Sequence, residues 1–438
     1  MSLNDSEKKL GILARKTFLS MWSYENPFYE QGKELCDVLV VFENDVIIIS
    51  DKMNKFGDHA SPAVNWQRWY RKAVVASARQ LCGARNHIRN FPEKIYIDAK
   101  ASSSLPLKLP SSDLMKIHLI AVANGCEDAC EASTGNRSLS IDTGIVSPDI
   151  PFAVGCLTED NDFLHIISTP ALDAMFDCFD TTRDFLDYLN RKRSAMFSER
   201  WRIRGEENFI AAYMTSQPGN NDFYVPVTSF CVNEDVRIVS SGLWDSYSVS
   251  KQRISRKNFW AKSYVIDQIV NEIAEDYAKK RMIVGQNQPV SYHEAAFRLL
   301  ASESRLSRQA LAGSFLDIYC EGTSTFWSVI SESLDNPGVH YLWLLYPQPP
   351  DEVSLAEVEY YLDRELKKYL LVAQSKYRNA RRIFGICLPN RDCKLTSRIF
   401  RLVDGEYWTN EMAAEANRLE LEEGILSDID TVIIGAVR

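Results

Sequence analysis

Two apolar runs, separated by a short polar junction, form the clearest pattern near the start of the chain. They read ELCDVLVVF over residues 34–42 and DVIIISDKM over residues 45–53, with Glu43-Asn44-Asp45 at the junction. Runs rich in Val and Ile are typical of β-strands, and a tight polar junction between two of them indicates a hairpin. Because both runs are almost continuously apolar, we expect a sheet that is covered on both faces.

The segments around this hairpin alternate between helical and strand patterns. Apolar residues recur at helical spacing over residues 5–22 and again over residues 65–90. KIYIDA (residues 94–99) and KIHLIAVAN (residues 116–124) are further candidate strands. The N-terminal part therefore predicts the order helix, strand, strand, helix, strand.

The rest of the chain divides into a middle and a C-terminal region. Residues 126–220 are at first rich in turn-forming residues, with short strand-like pieces such as FLHIIST (163–169). They then show a helical pattern over 183–215, which predicts an irregular and helical extension. Long helical patterns precede alternating helix and strand patterns, including VHYLWLLYP and the final TVIIGAV. We therefore predict an α/β protein with an N-terminal domain over 1–125, the extension over 126–220, and a C-terminal helical then α/β domain of unknown role over 221–438.

The composition is that of an ordinary globular protein without a membrane segment. The 438 residues are 45% hydrophobic and 25% charged. No apolar run is long enough to span a bilayer, and the first residues lack an export pattern. Ten dispersed cysteines without zinc-ligand spacing indicate reduced thiols. These features predict a cytoplasmic protein that does not engage membranes.

The net charge of −9 excludes a uniformly basic surface but is compatible with a local basic patch. Arg68, Arg71, Lys72 and Arg79 cluster on the predicted helix of residues 65–90. Such residues could contact the phosphates of a nucleic acid, or they could form a helix face that is simply exposed to water.

Polar residues of the hairpin supply the parts of a metal-dependent hydrolytic site. Asp37 lies within an apolar strand, where an unpaired carboxylate is costly. On the second strand, Ser50 and Lys52 point to one side and Asp51 points to the other. Mg²⁺ needs only one or two carboxylates, and a nearby ammonium can stabilise charge in a transition state. A purely structural ion pair between Asp37 and Lys52 is the alternative.

This arrangement resembles the PD-(D/E)xK nuclease superfamily, which includes restriction endonucleases and Holliday-junction resolvases. The family core has the order α-β-β-β-α-β, with an Asp beginning the second strand, an acid-x-Lys on the third, and often a Glu on the first helix. Asp37 matches the motif Asp, Lys52 the motif Lys and Glu7 the helical Glu, while Gln80 matches a polar position that some members use near the site. The resemblance covers about residues 5–100, and it implies a restriction-endonuclease-like core.

The sequence departs from the family motif at Ser50, which stands where the acid of acid-x-Lys is expected. Some members with S-x-K use a carboxylate from elsewhere, commonly from a helix. Glu7 or Glu34 could take that role here. Asp51 could contribute as well if the strand bulged and turned its side chain inward.

The resemblance therefore implies a bacterial-type nuclease that depends on Mg²⁺ or Mn²⁺ and acts on DNA rather than RNA. Asp37, Glu7 and Glu34 would hold the metal, and Lys52, Ser50, Asp51 and Gln80 would complete the catalytic site. The alternative is a catalytically inactive nuclease-fold module that binds nucleic acid or a protein partner. The C-terminal region could bind a protein partner or a second copy of the chain. No phosphate-binding Gly-rich loop or hydrolase nucleophile motif suggests another chemistry.

Overall fold

A computed structural model describes residues 5–145, 148–159, 162–216, 229–231, 235–321 and 324–427. The chain forms two compact units, an N-terminal unit (Met1–Arg256) and a C-terminal unit (Lys257–Arg438). Within the described ranges, no helix has both the length and the apolar character needed to cross a lipid bilayer.

The elements of the N-terminal unit alternate short strands with helices of one to five turns. Its helices are α1 (Asp5–Trp22), α2 (Pro62–Tyr70), α3 (Ala76–Asn90), α4 (Glu127–Thr134), α5 (Thr169–Cys178), α6 (Thr182–Ser198), α7 (Glu206–Thr215) and α8 (Leu243–Ser248). Its strands are β1 (Ser23–Glu25), β2 (Phe28–Glu30), β3 (Lys33–Glu34), β4 (Val38–Phe42), β5 (Asp45–Met53), β6 (Lys116–Asn124), β7 (Ser140–Asp142), β8 (Ala153–Val154), β9 (Leu157–Glu159), β10 (Asp162–Ile167), β11 (Arg200–Ile203), β12 (Ser229–Cys231) and β13 (Val236–Val239).

The apolar hairpin lies at the centre of a six-stranded sheet. The strand order is β1-β4-β5-β6-β10-β9. β1, β4 and β5 are antiparallel neighbours, whereas β6 runs parallel to both β5 and β10. Every residue of β4 is buried, as an almost unbroken apolar run requires.

Helices α1 and α3 cover opposite faces of this sheet. Successive side chains of a strand point to opposite faces. The Ser50 hydroxyl contacts Gln80 of α3, whereas the next side chain, Asp51, contacts Ser6 of α1. The expectation of a sheet covered on both faces is therefore confirmed.

Most N-terminal elements lie where the apolar pattern predicts them. The predicted helix over 5–22 is α1, the hairpin is β4 and β5, and KIHLIAVAN is β6. The predicted helix over 65–90 consists of α2 and α3 joined by a π-helical turn, Arg71–Val75. The predicted strand KIYIDA is wrong, because Tyr96 makes only isolated bridges to Phe28 and Ser104. β1 was not predicted, because its three residues, Ser-Tyr-Glu, contain no apolar run.

The middle region contains more strands than we expected. β7 to β11 all lie within residues 126–220, and β11 interrupts the helical pattern predicted over 183–215. The strand-like segment FLHIIST (residues 163–169) is β10 (Asp162–Ile167), as expected, whereas β7, β8, β9 and β11 were not expected in the irregular and helical extension. The unexpected strands have two to four residues, which is too short for alternation to be recognised. Because β10 and β9 belong to the sheet of the hairpin, that sheet extends beyond residue 125.

A second sheet in the N-terminal unit has the order β12-β13-β11-β7-β8. Buried Lys192 of α6 forms an ion pair with buried Glu206 of α7, and Tyr188 donates to the same carboxylate at 2.6 Å. These contacts hold α6 against α7, although β11 separates the two helices in the sequence.

The C-terminal unit is built on a four-stranded sheet of order β14-β15-β16-β17. α9 (Lys251–Trp260) spans the division between the units and leads to α10 (Tyr264–Ala278), α11 (Val290–Ala301), α12 (Arg305–Glu321), β14 (Trp327–Glu332), β15 (Val339–Tyr346), α13 (Leu355–Lys376), β16 (Arg382–Pro389), β17 (Ile399–Asp404) and α14 (Asn410–Glu423). Leu342 and Leu344 of β15 share one apolar core with Leu362 and Leu366 of α13. The predicted alternation of helices and strands is thus confirmed, and TVIIGAV lies outside the described residues.

Candidate functional site

The register of the hairpin brings Asp37 beside Ser50. Val38 pairs with Ile49, and the Asp37 N–H donates to the Ile49 carbonyl at 3.1 Å. Paired side chains share one face of a sheet, and Lys52, two residues beyond Ser50, shares it too. Asp37, Ser50 and Lys52 therefore lie together on the face covered by α3.

Asp37 is a buried carboxylate with partial compensation of its charge. Only 6% of the residue is exposed, and its Oδ2 accepts a hydrogen bond from the Asp51 backbone N–H at 2.5 Å. Burial raises the pKa of Asp37, the Asp51 N–H and the Lys52 charge oppose that rise, and the Glu7 charge adds to it. A carboxyl group in this position would be stabilised in its charged form by one more cation.

Glu34 reaches the same place from the small β2–β3 hairpin. Phe28 pairs with Glu34, and the Leu35 N–H donates to the Pro27 carbonyl at 2.7 Å, which turns the chain toward β4. The residue as a whole is exposed. Partial desolvation of its carboxyl end and the charge and hydrogen bond of Asp37 together raise the pKa of Glu34 to about 7. The carboxyl of Glu34 therefore gains or loses its proton near neutral pH.

Glu7 joins this group from the first turn of α1. It is partly exposed, and its negative charge raises the pKa of Glu34, Asp37 and Asp51. The helical Glu of the sequence hypothesis thus lies within electrostatic range of the three other carboxylates.

Asp51 points to the opposite face, as strand alternation predicts. It is buried, accepts a hydrogen bond from the Ser6 hydroxyl, and accepts another from Asn124 Nδ2 at 2.6 Å. Burial raises the pKa of Asp51 to about 6, with a further contribution from the Asp37 charge. The β5–β6 pairing continues in register from Asp45↔Lys116 to Met53↔Asn124. The strand does not bulge there, so the Asp51 side chain faces α1 and not the opposite sheet face, which carries Ser50 and Lys52.

Gln80 and Arg79 lie on α3, whereas Arg68 lies on α2 and Arg71 and Lys72 lie in the π-helical turn between the two helices. The Ser50 hydroxyl donates to Gln80 Oε1 at 3.4 Å, which is a long hydrogen bond. Arg68, Arg71, Lys72 and Arg79 are all exposed. Arg68, Arg71 and Arg79 line a groove of about 670 Å³.

The carboxylates suit a metal ion that keeps most of its water. In the described part of the chain, no group of three or more His, Cys, Asp or Glu side chains is arranged to hold a metal. Asp37 nevertheless raises the pKa of Glu34 through its charge and a hydrogen bond, so the two carboxyls lie close together. Two carboxylates meet the need of Mg²⁺ or Mn²⁺, which retain several waters, but not that of a closed zinc site.

Sequence reasoning missed the partners of Asp51. Asn124 donates to Asp51 and accepts from the Thr169 hydroxyl, so it links β5, β6 and the start of α5. A signal was present, because Asn124 is the single polar residue at the carboxyl end of an apolar run, where polar groups of parallel strands gather. Ser6 carried no comparable signal.

Comparison of the chain with protein-family models, with curated proteins and with solved structures gives no match. The function must therefore be inferred from the residues and geometry of the site itself.

Proposed function

We propose that the N-terminal unit is a metal-dependent nuclease of the PD-(D/E)xK kind, which hydrolyses phosphodiester bonds in nucleic acid, DNA rather than RNA. One observation carries the proposal: Asp37 and Lys52 share a sheet face, and carboxylates from two other elements lie close to Asp37. The charge of Glu7 raises the pKa of Asp37, and Asp37 raises the pKa of Glu34. The order α1, β1, β4, β5, α3, β6, with β6 parallel to β5, supports a restriction-endonuclease-like core.

Each residue has a role that follows from its environment. Asp37 and Glu34 would bind Mg²⁺ or Mn²⁺, which polarises a phosphoryl oxygen and lowers the pKa of a water molecule. Lys52 would place a positive charge where negative charge develops on the phosphate. Because the pKa of Glu34 is about 7, binding of the metal near neutral pH would displace a proton from that carboxyl. Ser50 would orient Asp37, since its hydroxyl lies within hydrogen-bond reach of that carboxylate.

Cleavage assays test this proposal directly. The full chain is incubated with supercoiled plasmid, linear duplex, single-stranded DNA and RNA, in Mn²⁺ and in EDTA. We expect Mn²⁺-dependent cleavage of DNA that Asp37→Asn and Lys52→Met each reduce by at least about a hundredfold, the scale of losing one transition-state contact.

Matched variants control for loss of charge at the surface. Asp58→Asn and Lys55→Ala remove the same charges from exposed positions close to β5 in the sequence, and both should cut normally. A wild-type protein that cleaves none of the four substrates, or an Asp37→Asn variant with full activity, would refute the proposal.

A second candidate is a nuclease-fold module that binds nucleic acid without cutting it. It is favoured by Ser50 in the acid position and by the lack of a three-ligand metal group among the described side chains. Calorimetry would distinguish the two functions. Oligonucleotide binding that weakens with salt, combined with no Mn²⁺ binding, would select the non-catalytic module.

A further inference from the structure

A groove on the N-terminal unit combines an apolar floor with a basic rim. Val64, Tyr70, Val75 and Pro148 form the apolar part of its lining. Arg68, Arg71 and Arg79 form the charged part, together with the amide of Gln67. This composition suits a ligand that has both an apolar or aromatic body and negative charges.

The three arginines are available to a ligand. Each is exposed, and within the described residues none of the three guanidinium groups forms an ion pair. Other exposed arginines of the same unit are paired, as Arg137 is with Asp128 and Glu131, and Arg183 with Asp187. The groove therefore concentrates positive charge that the neighbouring protein does not neutralise.

The apolar floor of the groove favours a single strand over a duplex. The groove has a volume of about 670 Å³, within the range of small-molecule sites, roughly 300–1,000 Å³. Bases in a duplex are stacked inside the helix and could not reach an apolar floor, whereas an unpaired strand can place a base against it.

Helix α3 carries a residue of the groove and a residue of the candidate catalytic site. Arg79 is the sequence neighbour of Gln80, which contacts Ser50 of the site. Arg68 lies eleven residues before Arg79, roughly 16 Å along a helical axis. The π-helical turn Arg71–Val75 falls between these residues and changes the helical phase that relates Arg68 to Arg79. Such turns occur frequently at functional sites.

We propose that this groove binds an unpaired stretch of nucleic acid, with phosphates on Arg68, Arg71 and Arg79 and a base or sugar on the apolar floor. The inference rests on the proposed function and specifies its substrate class: a nucleic acid that contains a single-stranded segment next to the bond that is cut.

Binding measured without metal separates this inference from the cleavage proposal. Fluorescence anisotropy of a labelled oligonucleotide is recorded in EDTA at several salt concentrations, with the single strand, its duplex and an abasic strand of equal length. We expect the full chain to bind the single strand at least tenfold more tightly than the duplex, and severalfold more tightly than the abasic strand.

The variant Arg68→Ala/Arg71→Ala should lose at least tenfold in single-strand affinity. Its slope of log affinity against log salt should fall by about 1.4, for two lost phosphate contacts on a single strand. Arg137→Ala/Arg183→Ala removes the same charge elsewhere and should bind like the wild type.

Equal binding of single strand and duplex, equal effects of the two double variants, or no binding at all would overturn the inference. Preserved single-strand binding in a protein that cuts no substrate would refute the nuclease and leave the groove assignment intact.

Discussion

At the scale of single residues, the site is defined by crowded carboxylates. Asp37 is buried, its proximity helps to raise the pKa of Glu34 to about 7, and Glu7 adds a further negative charge nearby. Lys52 offsets part of this charge, because it lowers the pKa of both Asp37 and Glu34. Crowding of this kind costs stability, and it is common where charged groups serve binding or catalysis.

The pH dependence of stability should reveal the raised pKa of Glu34. The folded state holds this proton more tightly than the unfolded chain, so the free energy of unfolding falls as pH rises from about 4.5 to about 7. Glu34→Gln should make this decline shallower in thermal melts between pH 4 and pH 8. Glu30→Gln, at an exposed residue paired with Lys33, is the control. If the stability of Glu34→Gln depended on pH as that of the wild type does, the raised pKa of Glu34 would be contradicted.

If the proposed function holds, an acid at position 50, where the PD-(D/E)xK motif has one, should strengthen metal binding. Ser50→Asp places a third carboxylate beside Asp37 at a fully buried position. Without metal, we expect the free energy of unfolding to fall by several kcal/mol, on the order expected for burying an unpaired charge. Mn²⁺ should bind on the order of tenfold more tightly, because affinity rises with the number of charged ligands.

Ser77→Asp provides the comparison for Ser50→Asp. Ser77 is equally buried, but its hydroxyl donates to the Ala73 carbonyl within the helix. This variant should lose stability without any gain in Mn²⁺ affinity, as thermal melts with and without Mn²⁺ would show. Equal gains in the two variants would place the metal elsewhere.

At the scale of elements, strand β5 separates two polar groups by simple alternation. Ser50 and Lys52 face α3, whereas Asp51 faces α1 and is held by Ser6 and Asn124. The hairpin and its flanking helix could be predicted because apolar runs and helical spacing are local signals. The contact of Glu34 with Asp37 could not, since it depends on the turn made by the two short strands β2 and β3.

Asn124, which links β5, β6 and α5, should contribute measurably to the free energy of unfolding. Asn124→Ala removes the donor to buried Asp51, which should lower the free energy of unfolding by about 1–3 kcal/mol. Thr169→Val removes only the outer hydrogen bond of this chain and should cost less. Chemical denaturation of the two variants compares these losses. An equal or larger loss in Thr169→Val would show that Asp51 does not depend on Asn124.

At the scale of the whole molecule, the chain divides into two units, each with its own sheets. The α/β class could be predicted from alternating patterns. The pairing of β6 with β10 could not, because these strands are joined only through a long segment of short elements. In the C-terminal unit, buried Arg305 and Arg308 both bind Asp267, a network that no local pattern revealed.

Breaking this network should affect the C-terminal unit selectively. Asp267→Ala leaves two buried guanidinium groups without their carboxylate, which should cost about 3–5 kcal/mol. Hydrogen exchange should show faster opening of α10 and α12, while Mn²⁺-dependent cleavage by the N-terminal unit persists. Glu275→Ala, which breaks only exposed ion pairs, should change exchange far less. Loss of cleavage in Asp267→Ala would assign the C-terminal unit a part in catalysis.

The most direct test of the central claim is Mn²⁺ binding by titration calorimetry at pH 6 and pH 8. We expect saturable binding to the wild type that is tighter at pH 8, because the proton that Glu34, with a pKa of about 7, holds at pH 6 must leave. Asp37→Asn should abolish this binding, and Asp58→Asn should preserve it. A wild-type protein that binds no Mn²⁺, or an Asp37→Asn variant that binds it unchanged, would contradict the assignment of these carboxylates as a metal centre.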